Sequence, residues 1–145
     1  TPKTSSAASD VYKRQGKLLD ELLIEAGIDL QKDVYFCNVI KCRPPNNRKP
    51  TNKEINIHKP WLMQQIKLVD PKFIILTGST AMRTILEIKN PISKTRGKWF
   101  KKGGREIITI FHPSYLLRFS SKEVEKPYDL TLKDLKNVSS KLYAL

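Results

Sequence analysis

Two polar residues, Asn38 and His112, stand where an apolar stretch of the sequence gives way to a proline-containing loop. An asparagine amide presents donors and an acceptor in one plane, which suits the edge of a pyrimidine base. A histidine can donate a hydrogen bond to an oxygen that gains negative charge in a transition state. If both stretches are strands of one parallel sheet, both side chains face one crevice and can contact the same ligand. The alternative for His112 is a structural histidine whose hydrogen bonds are satisfied within the fold.

The loop that contains Asn38 is stiff and basic. Residues 38–50 read NVIKCRPPNNRKP and include three prolines. Proline fixes φ and has no amide hydrogen, so this stretch can form neither a helix interior nor a central strand. Either it is a proline-stiffened surface connection, or it holds the polar groups at the end of the preceding strand in fixed directions.

Two further segments suggest contact with anions. At Gly78-Ser79 a short apolar stretch turns directly into a helical pattern, and the free amide hydrogens and dipole of such a junction favour an anion. An ordinary tight turn capped by Ser79 would explain the same residues. Arg96 belongs to a basic segment interleaved with two aromatic residues. That pattern favours contact with a nucleic acid backbone, although a solvated charged face is the simpler explanation.

The composition favours a polyanionic partner. The chain of 145 residues has a net charge of +13, and nucleic acid is the first expectation for such a charge. Twenty of the 27 basic residues are lysine, which also fits coding by AT-rich DNA. The longest apolar runs are far shorter than the roughly twenty residues of a membrane-spanning helix, so we expect a soluble protein without a membrane partner. Two cysteines, Cys37 and Cys42, exclude a disulfide framework and favour a cytoplasmic setting.

An α/β fold is expected to position these residues. Apolar stretches at 34–40, 73–76 and 106–111 are predicted strands, and they alternate with helical patterns. We therefore expect a three-layer α/β/α architecture with a mainly parallel central sheet. Residues 1–15 lack apolar periodicity and are predicted to be a disordered or foreign leader, which leaves residues 16–145 as the domain.

Four segments resemble the uracil-DNA glycosylase superfamily in their order and spacing: NVIKCRPPNNRKP, PKFIILTGSTAMRTIL, RGKWF and HPSYLLR. The first and last of them together are highly specific. The branch most resembled is the family 4 type, which carries an iron–sulfur cluster, and the resemblance extends from about Gly16 to the C-terminus. It implies an enzyme that hydrolyses the N-glycosidic bond of uracil in DNA to start base-excision repair. It also implies a monomer whose partner is uracil-containing DNA.

The resemblance assigns roles to individual residues. Asn38 would read the edge of uracil, and His112 would stabilise the uracil O2 as the glycosidic bond breaks. Leu117 and Arg118 would belong to the wedge loop that enters the duplex when the nucleotide is flipped out. The other residues expected to contact the DNA are Gly78, Ser79, Arg96 and Ser114.

One departure from the family pattern concerns the N-terminus. The first motif of the family, a glycine-rich loop with an acid that positions water, should precede Gly16. Residues 1–15 show no match to it. We therefore expect an N-terminally incomplete copy that lacks the first strand, the acid and two cluster cysteines.

The other departure concerns the cluster ligands. Cys42 matches the third ligand of the 4Fe-4S cluster, but the fourth position is His58. This histidine is either a ligand or a solvated helix residue. Cys37 is expected in the core. The resemblance therefore implies a cluster that is incomplete or absent in this chain.

Three functions remain to be separated. The first is the glycosylase itself, whose activity in an incomplete chain is uncertain. The second is a non-catalytic DNA-binding module of the same fold, which keeps the basic groove without the chemistry. The third is an unrelated nucleotide-binding α/β domain, which would bind free nucleotides without affinity for DNA. Release of uracil from an oligonucleotide separates the first from the second.

Overall fold

The computed structural model describes residues 6–39 and 50–144, with side chains from Lys13 onward. No helix in these ranges is both long and apolar enough to cross a membrane. The helices and strands, in chain order, are α1 (Ser6–Glu25), α2 (Asn52–Val69), β1 (Phe73–Thr77), α3 (Gly78–Leu86), α4 (Ile92–Thr95), β2 (Trp99–Lys102), β3 (Arg105–Ile110), α5 (Pro113–Arg118) and α6 (Pro127–Tyr143).

The described sheet has three strands in the order β1-β3-β2. β1 and β3 pair in parallel, from Phe73 opposite Glu106 to Thr77 opposite Ile110. β2 and β3 are antiparallel and joined by a tight turn. The predicted α/β class is confirmed, with one parallel and one antiparallel strand pair in this part of the sheet.

Side chains of β3 alternate between two apolar clusters. Ile108 and Ile110 pack with α1, α5 and α6 in the larger cluster, whereas Ile107 packs with Leu62 of α2 and Ile85 of α3 in the smaller one. Successive strand residues point to opposite faces of a sheet, so the two clusters lie on its two sides. The neighbouring β1 is apolar from Phe73 to Leu76, which is typical of a sheet that is covered on both faces. The predicted three-layer α/β/α arrangement is therefore confirmed.

The strand predicted for residues 34–40 is wrong over its described part, which has no regular secondary structure. Tyr35 and Phe36 are 60% and 54% exposed, while Val34 and Val39 pack against the larger and the smaller cluster. A strand needs a partner for its backbone hydrogen bonds and a surface for its side chains. Apolar composition predicted the strand, but the described sheet offers this segment no ladder.

The N-terminal helix is longer than the sequence pattern indicates. α1 starts at Ser6 and continues through Gly16, so the prediction of disorder is wrong for residues 6–15. These residues contain neither proline nor glycine. The amphipathic second half of α1 packs against the core and nucleates the helix. Extending that helix toward the N-terminus adds a hydrogen bond for each residue without a second nucleation cost. The foreign origin of the leader and the domain boundary at residue 16 stay predictions, and residues 1–5 lie outside the described part.

The phenol of Tyr128 ties α6 to α1. Its hydroxyl donates a hydrogen bond to Glu25 Oε2 at 3.0 Å. Burial of the phenol, together with this hydrogen bond, raises the pKa of Tyr128 from 10.0 to about 12. As the pH rises through this window the unfolded chain loses the phenol proton first. The contribution of Tyr128 to stability is therefore complete below pH 10.0 and is lost toward pH 12.

We predict that Tyr128→Phe lowers the free energy of unfolding by about 1–2 kcal/mol near neutral pH, because one hydrogen bond is lost. The difference from the wild type should shrink as the pH rises from 10.0 to about 12. Urea unfolding at a series of pH values measures both effects. The matched control is Tyr35→Phe, which removes an exposed hydroxyl and should change little. A difference that stays constant across this window would contradict the prediction.

Candidate active site

His112 caps the short helix that follows β3. It is the N-cap residue of α5, with φ −69° and ψ 143°. Its Nδ1 accepts a hydrogen bond from the backbone amide of Ser114 at 3.0 Å, and Ser114 Oγ lies 2.7 Å from the same nitrogen. Because a backbone amide can only donate, Nδ1 carries no proton in this arrangement. The cap thus selects the neutral tautomer that carries its proton on Nε2.

Gly78 allows the start of α3 to approach the His112 side chain. Its φ is +89°, a conformation that favours glycine. A Cβ added to Gly78 would lie 2.9 Å from His112 Cβ and 3.1 Å from His112 Cδ2. Two independent constraints therefore require glycine at position 78: the positive φ and the close approach of the His112 side chain.

The strand register explains why these two loops meet. Thr77, the last residue of β1, lies opposite Ile110, the last residue of β3. The strands are parallel, so both chains leave the sheet at the same edge. Open α/β sheets bind ligands at this edge. The Gly78 turn and the His112 loop therefore lie at the same edge of the sheet.

Ser79 does not cap α3. The N-cap residue is Thr77, which makes no side-chain cap hydrogen bond, and Ser79 lies half-buried in the first turn. The alternative of an ordinary turn capped by Ser79 is therefore wrong. The nine residues of α3 direct the positive end of the helix dipole toward the Gly78 turn. Phosphate contact by Gly78 and Ser79 stays a prediction.

Asn38 is exposed and lies in an irregular segment next to β1 and α2. Its neighbour Val39 packs against the cluster that contains Leu76, and the Cys37 thiol donates a hydrogen bond to Gln65 Oε1 at 3.2 Å. Cys37 is exposed, so its expected place in the core is wrong. The physical reason is that this segment is not paired with a strand of the described sheet, so no strand geometry directs the Cys37 side chain into the interior. The convergence of Asn38 with His112 stays a prediction.

Arg96 has a structural partner that the sequence did not indicate. Its guanidinium donates two hydrogen bonds to Asp134 of α6, from Nε at 3.0 Å and from Nη2 at 2.9 Å. This pairing raises the pKa of the arginine above its usual value. The next residue, Gly97, has φ +77°, and a Cβ there would lie 2.6 Å from Asp134 Oδ1. The contact supports a structural role for Arg96, and its predicted contact with DNA stays untested.

α5 carries three of the predicted DNA-contacting residues, and its anchor is Leu116. Leu116 is buried in the larger cluster. Ser114 and Arg118 are exposed, and Leu117 is half-buried. The helix therefore presents these side chains from a fixed base, within about two turns of His112.

A stack of aromatic rings along α5 was missed in the sequence. The ring centroids of Phe111 and Tyr115 are 4.8 Å apart, and those of Tyr115 and Phe119 are also 4.8 Å apart. The signal was present as a repeat of aromatic residues four positions apart, which places side chains on one face of a helix.

The described residues do not form a metal site. Among them, no group of three or more His, Cys, Asp or Glu side chains could hold a metal ion. His58 lies half-buried on α2, and Cys42 falls outside the described part. The residues that the structure describes therefore do not fit an iron–sulfur cluster by themselves, and the chemistry proposed below includes no step at a cluster.

We predict that Gly78→Ala lowers the free energy of unfolding by roughly 1–3 kcal/mol and displaces His112, because the alanine methyl meets the imidazole. The matched control is Gly103→Ala. Gly103 also has a positive φ, +59°, but nothing lies within 4 Å of an added Cβ. Urea unfolding and the NMR shifts of the His112 ring report the two effects. Equal changes in both variants would contradict a specific contact with His112.

We predict that Arg96→Ala destabilises the fold by roughly 2 kcal/mol, because it leaves the carboxylate of Asp134 buried without its partner. The side chains of Arg96 and Asp134 are 22% and 6% exposed, so the loss is smaller than for a fully buried pair. Lys133→Ala is the control, since Lys133 pairs with Asp129 and Glu125 at the surface and should matter little. Thermal unfolding followed by circular dichroism compares them. Equal stability of both variants would refute the structural role.

Comparison with known proteins places the chain in a family. The family model described as the uracil DNA glycosylase superfamily matches residues 3–136. A type-4 uracil-DNA glycosylase of Thermotoga maritima is 44% identical over 131 residues, which are 88% of this chain and 65% of that protein. A type-4 uracil-DNA glycosylase of Archaeoglobus fulgidus is 38% identical over 112 residues, 70% of this chain and 55% of that protein.

A third relative has a different name. A DNA polymerase of Bacillus phage SP01 is 34% identical over 129 residues, which are 89% of this chain but 13% of the polymerase. The chain spans 65% and 55% of the length of the two type-4 relatives. The resemblance inferred from the four sequence segments is confirmed by the family match over most of the chain. The chain belongs to the uracil-DNA glycosylase superfamily.

Proposed function

We propose that the protein hydrolyses the N-glycosidic bond of uracil in DNA and so starts base-excision repair. The observation that carries the proposal is His112, whose Nδ1 accepts from the Ser114 amide and whose side chain lies against Gly78. It stands at the ligand-binding edge of the sheet in a chain of this superfamily. Relatives over most of the chain are named type-4 uracil-DNA glycosylases.

His112 suits the charge that this reaction creates. When the bond between uracil N1 and sugar C1′ breaks, its electron pair leaves with uracil, and the sugar becomes oxocarbenium-like. A water oxygen then bonds to C1′, and the base takes up a proton. The tautomer selected by the Ser114 amide carries a proton on Nε2, so the ring can donate to the uracil O2 as negative charge develops there. Removing one such donor typically costs about 10²–10³ in rate.

Asn38 is proposed to select the base. A planar amide can donate to and accept from the edge of uracil, and the same arrangement leaves polar groups unpaired against cytosine. Support comes from the position of its segment, because Val39 packs against the smaller cluster, which contains Leu76 of β1. β1 is the strand that leads into the Gly78 turn.

Contacts with the DNA backbone are proposed for the loops around this edge. The dipole of α3 at the Gly78 turn, the exposed Ser114 and the exposed Arg118 all favour phosphate oxygens. Leu117 would be the wedge that replaces the flipped nucleotide. The net charge of +13 supports a DNA partner whose binding weakens as salt rises.

The setting of the protein is a proposal as well. We propose that it acts as a monomer in the cytoplasm, where a chain with two cysteines keeps its thiols reduced. An iron–sulfur cluster held by Cys42 and His58 would need further ligands from outside the described residues. The proposed roles of His112 and Asn38 do not depend on it.

We predict that His112→Asn lowers the rate of uracil release by about 10²–10³, because it removes the Nε2 donor. Asparagine is a good N-cap residue, so α5 and its fold should be kept. Asn38→Ala should also reduce release, with DNA binding retained. Asn137→Ala, on the exposed side of α6, is the matched control and should leave release unchanged.

Release is measured with a uracil-containing oligonucleotide, by alkaline cleavage at the abasic site. Binding is measured separately, with an oligonucleotide of the same sequence under conditions in which no uracil is released. Release by His112→Asn at the wild-type rate would refute the role of His112. A wild-type chain that binds uracil-containing DNA without release would support the non-catalytic module instead. Binding of free nucleotides without affinity for DNA would favour the third function.

A further inference from the structure

The aromatic stack on α5 becomes more exposed with distance from the core. Phe111 is 6% exposed, Tyr115 is 38% exposed and Phe119 is 48% exposed. Neighbouring ring centroids are 4.8 Å apart, with interplanar angles of 32° and 47°. Tyr115 therefore lies against the buried ring of Phe111, Phe119 lies against Tyr115, and both outer rings reach solvent. We refer to Tyr115 and Phe119 as the aromatic platform.

The aromatic platform is held rigidly. Phe111 belongs to the larger apolar cluster, and so does Leu116, which anchors α5. The amide of Phe119 donates to the carbonyl of Tyr115 at 2.9 Å, which holds the last ring at the end of the helix. A ring that is already ordered loses little conformational entropy when a ligand stacks on it.

Single exposed apolar side chains are common and need no explanation. Trp61 and Leu68 of α2, 62% and 77% exposed, are of this kind, because neither belongs to a ring stack among the described contacts. The aromatic platform differs in two respects: its rings are stacked, and it lies on the helix that His112 caps. Location and stacking together point to a ligand.

The length of α5 limits how many nucleotides can separate the aromatic platform from a base held at His112. Phe119 follows His112 by seven positions, which corresponds to about 10 Å along a helix. Bases in a nucleic acid strand are about 3.4 Å apart, so the aromatic platform lies within roughly three nucleotides of a base held at His112. Arg118, exposed between the two rings in sequence, supplies a positive charge for the phosphates in between.

We propose that Tyr115 and Phe119 stack on an unpaired base of the DNA strand, within about three nucleotides of the uracil held at His112. This inference rests on the proposed function, since it assumes a DNA strand in the crevice. Every base has a π face, so the contact adds affinity without reading sequence. It gives the protein a preference for DNA whose bases next to the uracil are already unstacked, as in a single strand.

The charge of the chain favours a nucleic acid base over an apolar protein surface as the occupant. A net charge of +13 draws polyanions, and the exposed Arg118 adjoins Phe119 in the sequence. Aromatic side chains beside basic ones are the usual means by which proteins hold single strands. A protein partner for this surface is one of the outcomes that the experiment distinguishes.

The test is the affinity for a labelled single-stranded oligonucleotide without uracil, measured by fluorescence anisotropy at several salt concentrations. Phe119→Leu should weaken binding about five-fold or more, since leucine keeps the apolar contact but has no π face. Its salt dependence should stay that of the wild type. Arg118→Gln should instead lower the salt slope by about 0.7, the value for one phosphate contact on a single strand.

Two further variants make the result specific to an aromatic platform. Phe119→Trp should bind at least as tightly as the wild type, and its added indole should lose fluorescence when the oligonucleotide binds. Trp61→Leu removes an exposed ring from α2 and should leave the affinity unchanged. Thermal unfolding of Phe119→Leu checks that this variant keeps its fold. If it does not, the fluorescence change of Phe119→Trp on oligonucleotide binding is the readout that tests the aromatic platform.

The outcomes separate this inference from the proposed function. Wild-type affinity in Phe119→Leu, or no change in the fluorescence of Phe119→Trp on binding, would overturn the aromatic platform and leave uracil release untouched. In that case a protein partner would be the remaining occupant of these rings. Equal weakening in Trp61→Leu would also overturn it. A wild-type chain without affinity for DNA would overturn both the inference and the proposed function.

Discussion

The parallel pairing of β1 with β3 is the constraint on which the rest of the site depends. It brings Thr77 level with Ile110, so that the next residues of both strands leave the sheet at one edge. Gly78 and His112 then meet at a distance that permits no side chain on the first of them. A shift of this register by one residue would turn the side chains of a strand to the opposite faces. Ile107 and Ile108 pack against clusters on opposite faces of the sheet.

The hydrogen bond from the Ser114 amide to His112 serves both the fold and the site. As a helix cap it satisfies one of the amides that α5 leaves without an internal partner. As a contact to Nδ1 it determines which ring nitrogen carries the proton. The stability of a six-residue helix and the chemistry of the imidazole thus depend on the same atom. Leu116 also stabilises this arrangement, because its burial in the larger cluster holds α5 against the core.

Much of the fold and part of the site could be predicted from the sequence. The short apolar strand before Gly78 and the helix after it are encoded locally, because strand length and helical periodicity are properties of a few adjacent residues. The strand predicted for residues 34–40 is wrong over its described part, residues 34–39, because a strand also needs a neighbour and the described sheet does not provide one. The bidentate contact of Arg96 with Asp134 joins residues 38 positions apart, so no local sequence pattern predicts it.

The sequence by itself determined the family, through four segments in a fixed order, and it identified Asn38, His112 and Gly78 as the residues to examine. The family is confirmed because residue type and order are what a family retains and what the sequence displays, while the roles of these three residues stay predictions. The tertiary structure decided which of these groups touch. It set Gly78 against His112, bound Arg96 to α6 and stacked Phe119 on Tyr115 over a buried ring. Contacts of this kind depend on how strands pair and helices pack across long separations, and composition and periodicity along the chain do not specify them.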